Sequence, residues 1–198
     1  SIKATSGKDR RLCIWRHQSA IVEEVENEGP NQFSLAVAVD SAHKRITWSV
    51  HFCPTSEYVL ASGSRDGYVK IWKCTIDPGT DEVKLDEWKS FERGSKLEKK
   101  KDPVTAVAFA PREVLQGSLL AIGFESGLLE LWLVNTESDQ LLFLQGLEPR
   151  TCHNAAITKL LWRPTIPTPD EDVGKANDLT LVSVSKDHGV RIFVVSAS

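Results

Sequence analysis

Apolar and polar residues alternate with a period of two along much of this 198-residue chain. In the stretch 104–109, Val104, Ala106 and Ala108 fall on one side and Thr105, Val107 and Phe109 on the other, the spacing of a strand and not of a helix. The same pattern predicts strands over 47–52, 59–64, 68–72 and 87–91, then over 104–109, 119–124, 128–134 and 140–145. An earlier set opens on the end of one strand and continues through 12–15 and 33–39, and a later set supplies three strands and stops at Val195. Few long stretches carry helical periodicity, so the chain is expected to be all-β.

The strands recur within a repeated phrase: SGKDRRLCIW (6–15), SGSRDGYVKIW (62–72), IGFESGLLELW (122–132) and VSKDHGVRIF (184–193). Each copy joins a strand of small and apolar residues, through a tight Asp-Gly-like turn, to a second strand closing on Trp15, Trp72, Trp132 or Phe193. A second landmark lies upstream, where AHKRITWSVHFCP (42–54) matches CHNAAITKLLWRP (152–164). In KKKDPVTAVAFAP (99–111), Lys100 stands where the others have His43 and His153, and the turn of that copy has Ser126 where the second has Asp66.

These landmarks resemble the WD40 repeat. The resemblance implies a β-propeller of four-stranded blades, here a partial ring of about three and a half blades from a larger, seven-bladed propeller. The copies lie further apart than the ~40 to 45 residues of a usual blade, so each carries a long insertion. The expected division is 1–40 as a partial blade, 41–91 and 100–146 as blades, and 153–198 as a final partial blade. Methionine is absent and Ser1 already lies inside a repeat, so the chain reads as a piece of something longer. An open arc exposes strand edges and an apolar face. Further blades and an outer strand for the last one are expected to come from elsewhere.

His43, Ser62 or Ser64, Asp66 and Trp72 hold the parts of a nucleophilic triad. The WD40 resemblance implies a structural role instead: a buried chain from carboxylate to imidazole to hydroxyl to indole, which satisfies polar groups that burial would strand. In the last copy the same chain is expected through His153, Ser185 and Asp187, ending on Phe193, which has no N–H to donate. Loss of single members between copies fits a structural tie. No catalytic, cofactor-binding or metal-binding residue is expected.

Composition narrows the field further. A formal net charge of −3 gives no general pull on nucleic acid or anionic membrane. Cys13, Cys53, Cys74 and Cys152 are widely spaced without a CxxC pair, which argues against a zinc site or a disulfide framework and for a reducing compartment. No apolar run approaches the ~20 residues of a membrane helix, so a soluble intracellular protein without membrane or small-molecule partners is expected. The glycine-rich GSRDG (63–67) joins two strands, not a strand and a helix, and reads as a turn. His51 reads as a packed histidine, and the acidic stretches 23–28 and 170–172 as solvated loop.

Loops that precede the first strand of a blade emerge on the same face as the turns of the repeated phrase. That places Lys8, Arg10, Arg45, Arg65 and Lys186 on one rim, joined by the run Arg93, Lys96, Lys99, Lys100 and Lys101. Exposed cations are ordinary on turns. Arginine is nevertheless a preferred partner for carboxylate and phosphate, so a protein interface and an RNA backbone are the two functional readings of this rim.

AHKRITWSVHFCPTSEYVLASGSRDGYVKIW (42–72) and VSVSKDHGVRIF (182–193) also resemble the second-subunit family of the Elongator complex, whose members have two consecutive seven-bladed propellers. The resemblance implies a non-catalytic scaffold in the cytoplasm and nucleus. Its partners would be the large scaffold subunit and a radical-SAM and acetyl-CoA enzyme that modifies the wobble uridine of tRNA. Lys8, Arg10, Arg45 and Arg65 then become candidate contacts to partner subunits, with weak RNA contact as a second reading. An adaptor in a ubiquitin ligase or chromatin complex is the alternative.

Overall fold

A computed structural model describes residues 2–17, 33–56, 58–93, 101–147, 151–164 and 178–196. Among these residues fourteen strands form four antiparallel sheets in chain order. The first contains β1 (Ile2–Ser6), β2 (Leu12–His17) and β3 (Phe33–Val39), paired in that order. The second contains β4 (Thr47–Phe52), β5 (Val59–Ser64), β6 (Val69–Ile76) and β7 (Val83–Phe91). The third contains β8 (Val104–Val114), β9 (Gly117–Phe124), β10 (Leu129–Asn135) and β11 (Gln140–Leu147). The last contains β12 (Ile157–Trp162), β13 (Asp178–Ser185) and β14 (Val190–Ser196). Two complete blades are thus flanked by a sheet without an inner strand and a sheet without an outer one.

Burial explains the composition of each strand. β5 and β9 are covered on both faces and every residue in them is buried, which is why β5 is built from Val59, Leu60, Ala61, Ser62, Gly63 and Ser64 with little side-chain bulk. The outer strand β7 has one half-buried face and carries Lys84, Asp86 and Glu87 toward solvent, charges that protect an edge. Three apolar cores fill the gaps between consecutive sheets. Leu12 and Ile14 meet Leu60 and Trp72 at the first junction. Ala61 and Ile71 meet Phe109 and Ile122 at the second, and Ala121 and Leu131 meet Ile157 and Leu181 at the third.

Two features depart from simple alternation. Register shifts occur between Val104 and Ala106 in the β8–β9 pair, at the same place as between Thr47 and Ser49 and between Ile157 and Lys159. The extra residue turns Val104 into the core that holds Val107 and Phe109, whereas Ala106 and Ala108 join the opposite core; the grouping of Val104 with the two alanines is corrected by this bulge. Strands β6 and β7 also extend beyond 68–72 and 87–91, because pairing of Lys73 and Thr75 with Asp86 and Lys84 continues through residues whose polarity resembles a loop.

Candidate functional site

The turn between the second and third strands of the repeated unit has one geometry throughout. Its third residue bonds back to the carbonyl three before it, as Arg10 to Gly7, Gly67 to Ser64, Gly127 to Phe124 and His188 to Ser185. All four are at positive φ, 64° at Arg10, 83° at Gly67, 90° at Gly127 and 64° at His188. The left-handed position is therefore glycine in two copies only. In the last copy it is His188, one residue before the glycine that the sequence suggests.

Beneath the second turn, the His43 Nδ1–H faces Asp66 Oδ2 at 3.3 Å and Nε2 lies 2.7 Å from Ser62 Oγ. The Trp72 indole donates to the same hydroxyl at 2.8 Å. His43, Ser62 and Trp72 are almost wholly buried, so the hydroxyl and imidazole have no open approach for a substrate. Burial would raise the Asp66 pKa, but the His43 ring and the backbone amides of Tyr68 and Lys44 outweigh it and hold the carboxyl far below its usual range. Ser64 belongs elsewhere: its hydroxyl donates to the Arg45 carbonyl and accepts from the Asp66 amide.

The last sheet repeats the arrangement. His153 Nδ1 lies 3.0 Å from Asp187 Oδ2, and Nε2 lies 2.7 Å from Ser183 Oγ. This corrects the assignment of Ser185 to the chain, since Ser185 donates to the Ala155 carbonyl and accepts from Asp187 N–H. Two serines on one strand face share a period, but only the deeper one reaches the ring; the one beside the turn shapes the turn. Asp187, like Asp66, is held below the usual carboxylate range: desolvation opposes the shift, while the Asn154 and Gly189 amides and His153 drive it.

The third sheet solves the same problem with other residues, and sequence reading missed both. Asp102 accepts from the Ser126 hydroxyl and amide and pairs with Arg93 at 3.3 Å, which places the carboxylate on the incoming loop and the hydroxyl on the turn. Trp132 donates to the buried Glu130 at 3.0 Å. A signal for the first exchange was present, since the copy that lacks the turn aspartate carries one just before its inner strand. Lys100, Lys96 and Lys99, and the stretches 23–28 and 170–172, lie outside the described residues.

Backbone bonds bring the rim cations together. The loop preceding β4 is tied to the first turn by Ala42 N to Arg10 O and Thr47 N to Gly7 O, and to the second by Arg65 N to Ile46 O. Lys8, Arg10, Lys44, Arg45 and Arg65 are exposed, and among the described residues none has a carboxylate within salt-bridge distance. Neighbouring cations are paired, Arg11 with Asp40 and Lys101 with Glu92. Lys186 is exposed on the last sheet, separated from this strip by the third blade, whose turn presents Glu125 and Ser126. A polar depression of about 580 Å³ between the second and third blades, lined by Thr55, Ser118 and Asn135 among others, is separate from both the rim and the histidine chains. No group of His, Cys, Asp and Glu side chains suited to a metal occurs among the described residues, and no helix there is long and apolar enough to cross a membrane.

The recurring strand-turn-strand unit, with an imidazole linked to carboxylate and hydroxyl in two of its copies, defines a WD40-repeat β-propeller, and the chain belongs to that class. The WD domain, G-beta repeat model matches residues 36–73. Over most of its length the chain is similar to Elongator complex protein 2. It is 31% identical over 186 residues to the Arabidopsis thaliana protein, covering 90% of this chain and 20% of that one. It is 28% identical over 165 residues to the Schizosaccharomyces pombe protein, covering 83% of this chain and 19% of that one. The chain thus spans about a fifth of the length of these relatives. The crystal structure of Saccharomyces cerevisiae Sqt1 matches with a TM-score of 0.61 at 16% identity, covering 97% of this chain and 42% of that one, a likeness of fold alone.

Proposed function

We propose that this chain is part of a non-catalytic scaffold of the Elongator complex, acting in the cytoplasm and nucleus in tRNA wobble-uridine modification. Similarity to Elongator complex protein 2 across 83% or more of the chain in two organisms supports the assembly. The cation strip of Lys8, Arg10, Arg45 and Arg65 supplies its contact surface: it is exposed, it has no carboxylate partner among the described residues, and backbone bonds hold its three segments side by side. The buried histidine chains hold the blades and leave the rim to meet the catalytic and large scaffold subunits.

The test is charge reversal of Arg45 and Arg65 together, followed by co-purification with the acetyltransferase-like catalytic subunit and by RNA binding over a salt series. The double variant is expected to stay folded and to lose at least about tenfold in subunit capture, in line with unpaired charge at an interface. Unchanged capture would remove the strip from the interface. Loss confined to RNA binding, with a steep salt slope, would move the assignment to an RNA backbone.

A further inference from the structure

Strands β5 and β9 end at the turns of the rim, so their first residues lie at the opposite end of the blades. There the polar depression of about 580 Å³ opens between the second and third blades, bounded by the starts of β5 and β9 and the end of β10. Three of its groups bond across the junction. Cys53 donates to Ser118 Oγ at 3.1 Å, and Thr55 Oγ1 lies 2.7 Å from that hydroxyl and 3.3 Å from the sulfur. Each group has one proton, so a single arrangement satisfies all three contacts: Cys53 to Ser118, Ser118 to Thr55 and Thr55 to Cys53. The ring consumes its own protons and keeps oxygen lone pairs for an incoming donor.

The charged groups that line the depression are both carboxylates. Glu113 of β8 and Glu137, just after β10, are exposed, and among the described residues neither has a basic side chain within salt-bridge distance. Lys73 does not neutralise them: its ammonium donates to the Thr136 carbonyl at 3.2 Å and lies over the Trp88 ring. Asn135 fixes the wall by accepting from the Glu137 and Ser138 amides and donating to the Gln116 carbonyl. The acidic loop is thus tied to the β8–β9 hairpin before any ligand arrives, which lowers the cost of binding. Two carboxylates above a set of lone pairs match a cation with several N–H donors, and the guanidinium carries five in a planar fork.

The hairpin adds an apolar contact. Its two-residue turn places Leu115 and Gln116 at positive φ, 52° and 60°, a conformation that favours Asn-Gly. Leu115 is 59% exposed, so packing within the blade does not account for a leucine at this position. Gln116, the next residue, lines the depression.

We propose that this depression binds an arginine side chain of a partner protein, with the guanidinium held by Glu113 and Glu137 and an apolar neighbour of that arginine against Leu115. The volume exceeds a single guanidinium, and a free arginine or a polyamine would make no use of the hairpin tip. The site goes beyond the cation strip: it gives the chain a second partner surface, of opposite charge, at the other end of the blades.

The test presents the full-length protein with an array of synthetic peptides that carry a central arginine, lysine or citrulline among varied neighbours. Citrulline keeps the shape of arginine without its charge. Arginine peptides with an apolar neighbour are expected to be retained at least about tenfold better than their citrulline forms. Glu113→Gln combined with Glu137→Gln, both at exposed positions, is expected to keep the fold and lower that retention about tenfold. Leu115→Asn, which suits the left-handed turn, is expected to weaken only the peptides with an apolar neighbour. Equal retention of citrulline or lysine peptides, retention unchanged by either variant, a Leu115→Asn loss that is the same for all neighbours, no retained peptide, or competition by N-acetyl-arginine amide as strong as by the peptide would each overturn it.

Discussion

Ser62 and Ser64 are the same residue type two positions apart on one strand face, yet only Ser62 joins imidazole to indole. Ser62→Ala leaves a buried imidazole nitrogen and a buried indole N–H without their shared partner, which costs about 1 to 3 kcal/mol. Ser64 is equally buried, but its partners belong to the exposed Arg45 and the half-buried Asp66, so Ser64→Ala is expected to cost roughly 1 kcal/mol. Chemical denaturation of the two variants checks the ranking; equal losses would contradict it. A second prediction concerns pH. Asp66 has a folded pKa depressed below its ordinary 3.8, so its contribution to stability is present above pH 3.8 and lost as the pH falls below it. His51 acts higher: burial lowers its pKa from 6.5, against a raising contribution from the Phe52 backbone, and its Nδ1 accepts from the Phe109 amide at 3.2 Å. The unfolded chain then takes up a proton first, and stability declines as the pH falls below 6.5. Melting temperature measured from pH 7 to 5 should drop in the parent and drop less in His51→Asn, whose side chain does not titrate.

At the scale of elements, the close approach of blades sets the constraint. Gly63 lies against Val104 and Val107 with no room for a side chain. Gly63→Val is expected to destabilise the second junction by about 1 to 3 kcal/mol or more through overpacking, and Val104→Ala in the same molecule should recover part of it. A double-mutant cycle measures that coupling, and additive losses would contradict a direct contact between positions 63 and 104. Strand order and most strand positions were legible from periodicity and the repeated phrase. The bulges were not, because an extra residue changes which face a side chain takes without changing the composition around it; Val104 shows this directly.

At the scale of the whole molecule, each sheet packs on its neighbours in an arc, so protection against solvent should grade outward from the middle. Hydrogen exchange is expected to be slowest in β5 and β9, which are buried throughout, and faster in β14, which is largely exposed. Uniform exchange across the four sheets would show instead that they open as one unit. Polar staples add to the arc at its outer side: Arg16 reaches Asp81 at 3.0 Å between the first two blades, and Trp88 and Lys89 reach Asp139 between the second and third. Both aspartates are exposed and their partners only half-buried, so the apolar cores carry most of the cohesion.

The sequence by itself determined the all-β repeat, the residues eligible for the histidine chain and the cations of the rim, because strand periodicity and turn chemistry are local. Only the tertiary structure decided that Ser183 and not Ser185 meets His153, that Asp102 and Glu130 replace the missing partners in the third blade, and that Val104 faces away from Ala106 and Ala108. Those outcomes depend on distances between strands far apart in the chain. A period of two assigns a side chain to a face, but only the neighbouring strand or blade decides what it touches there.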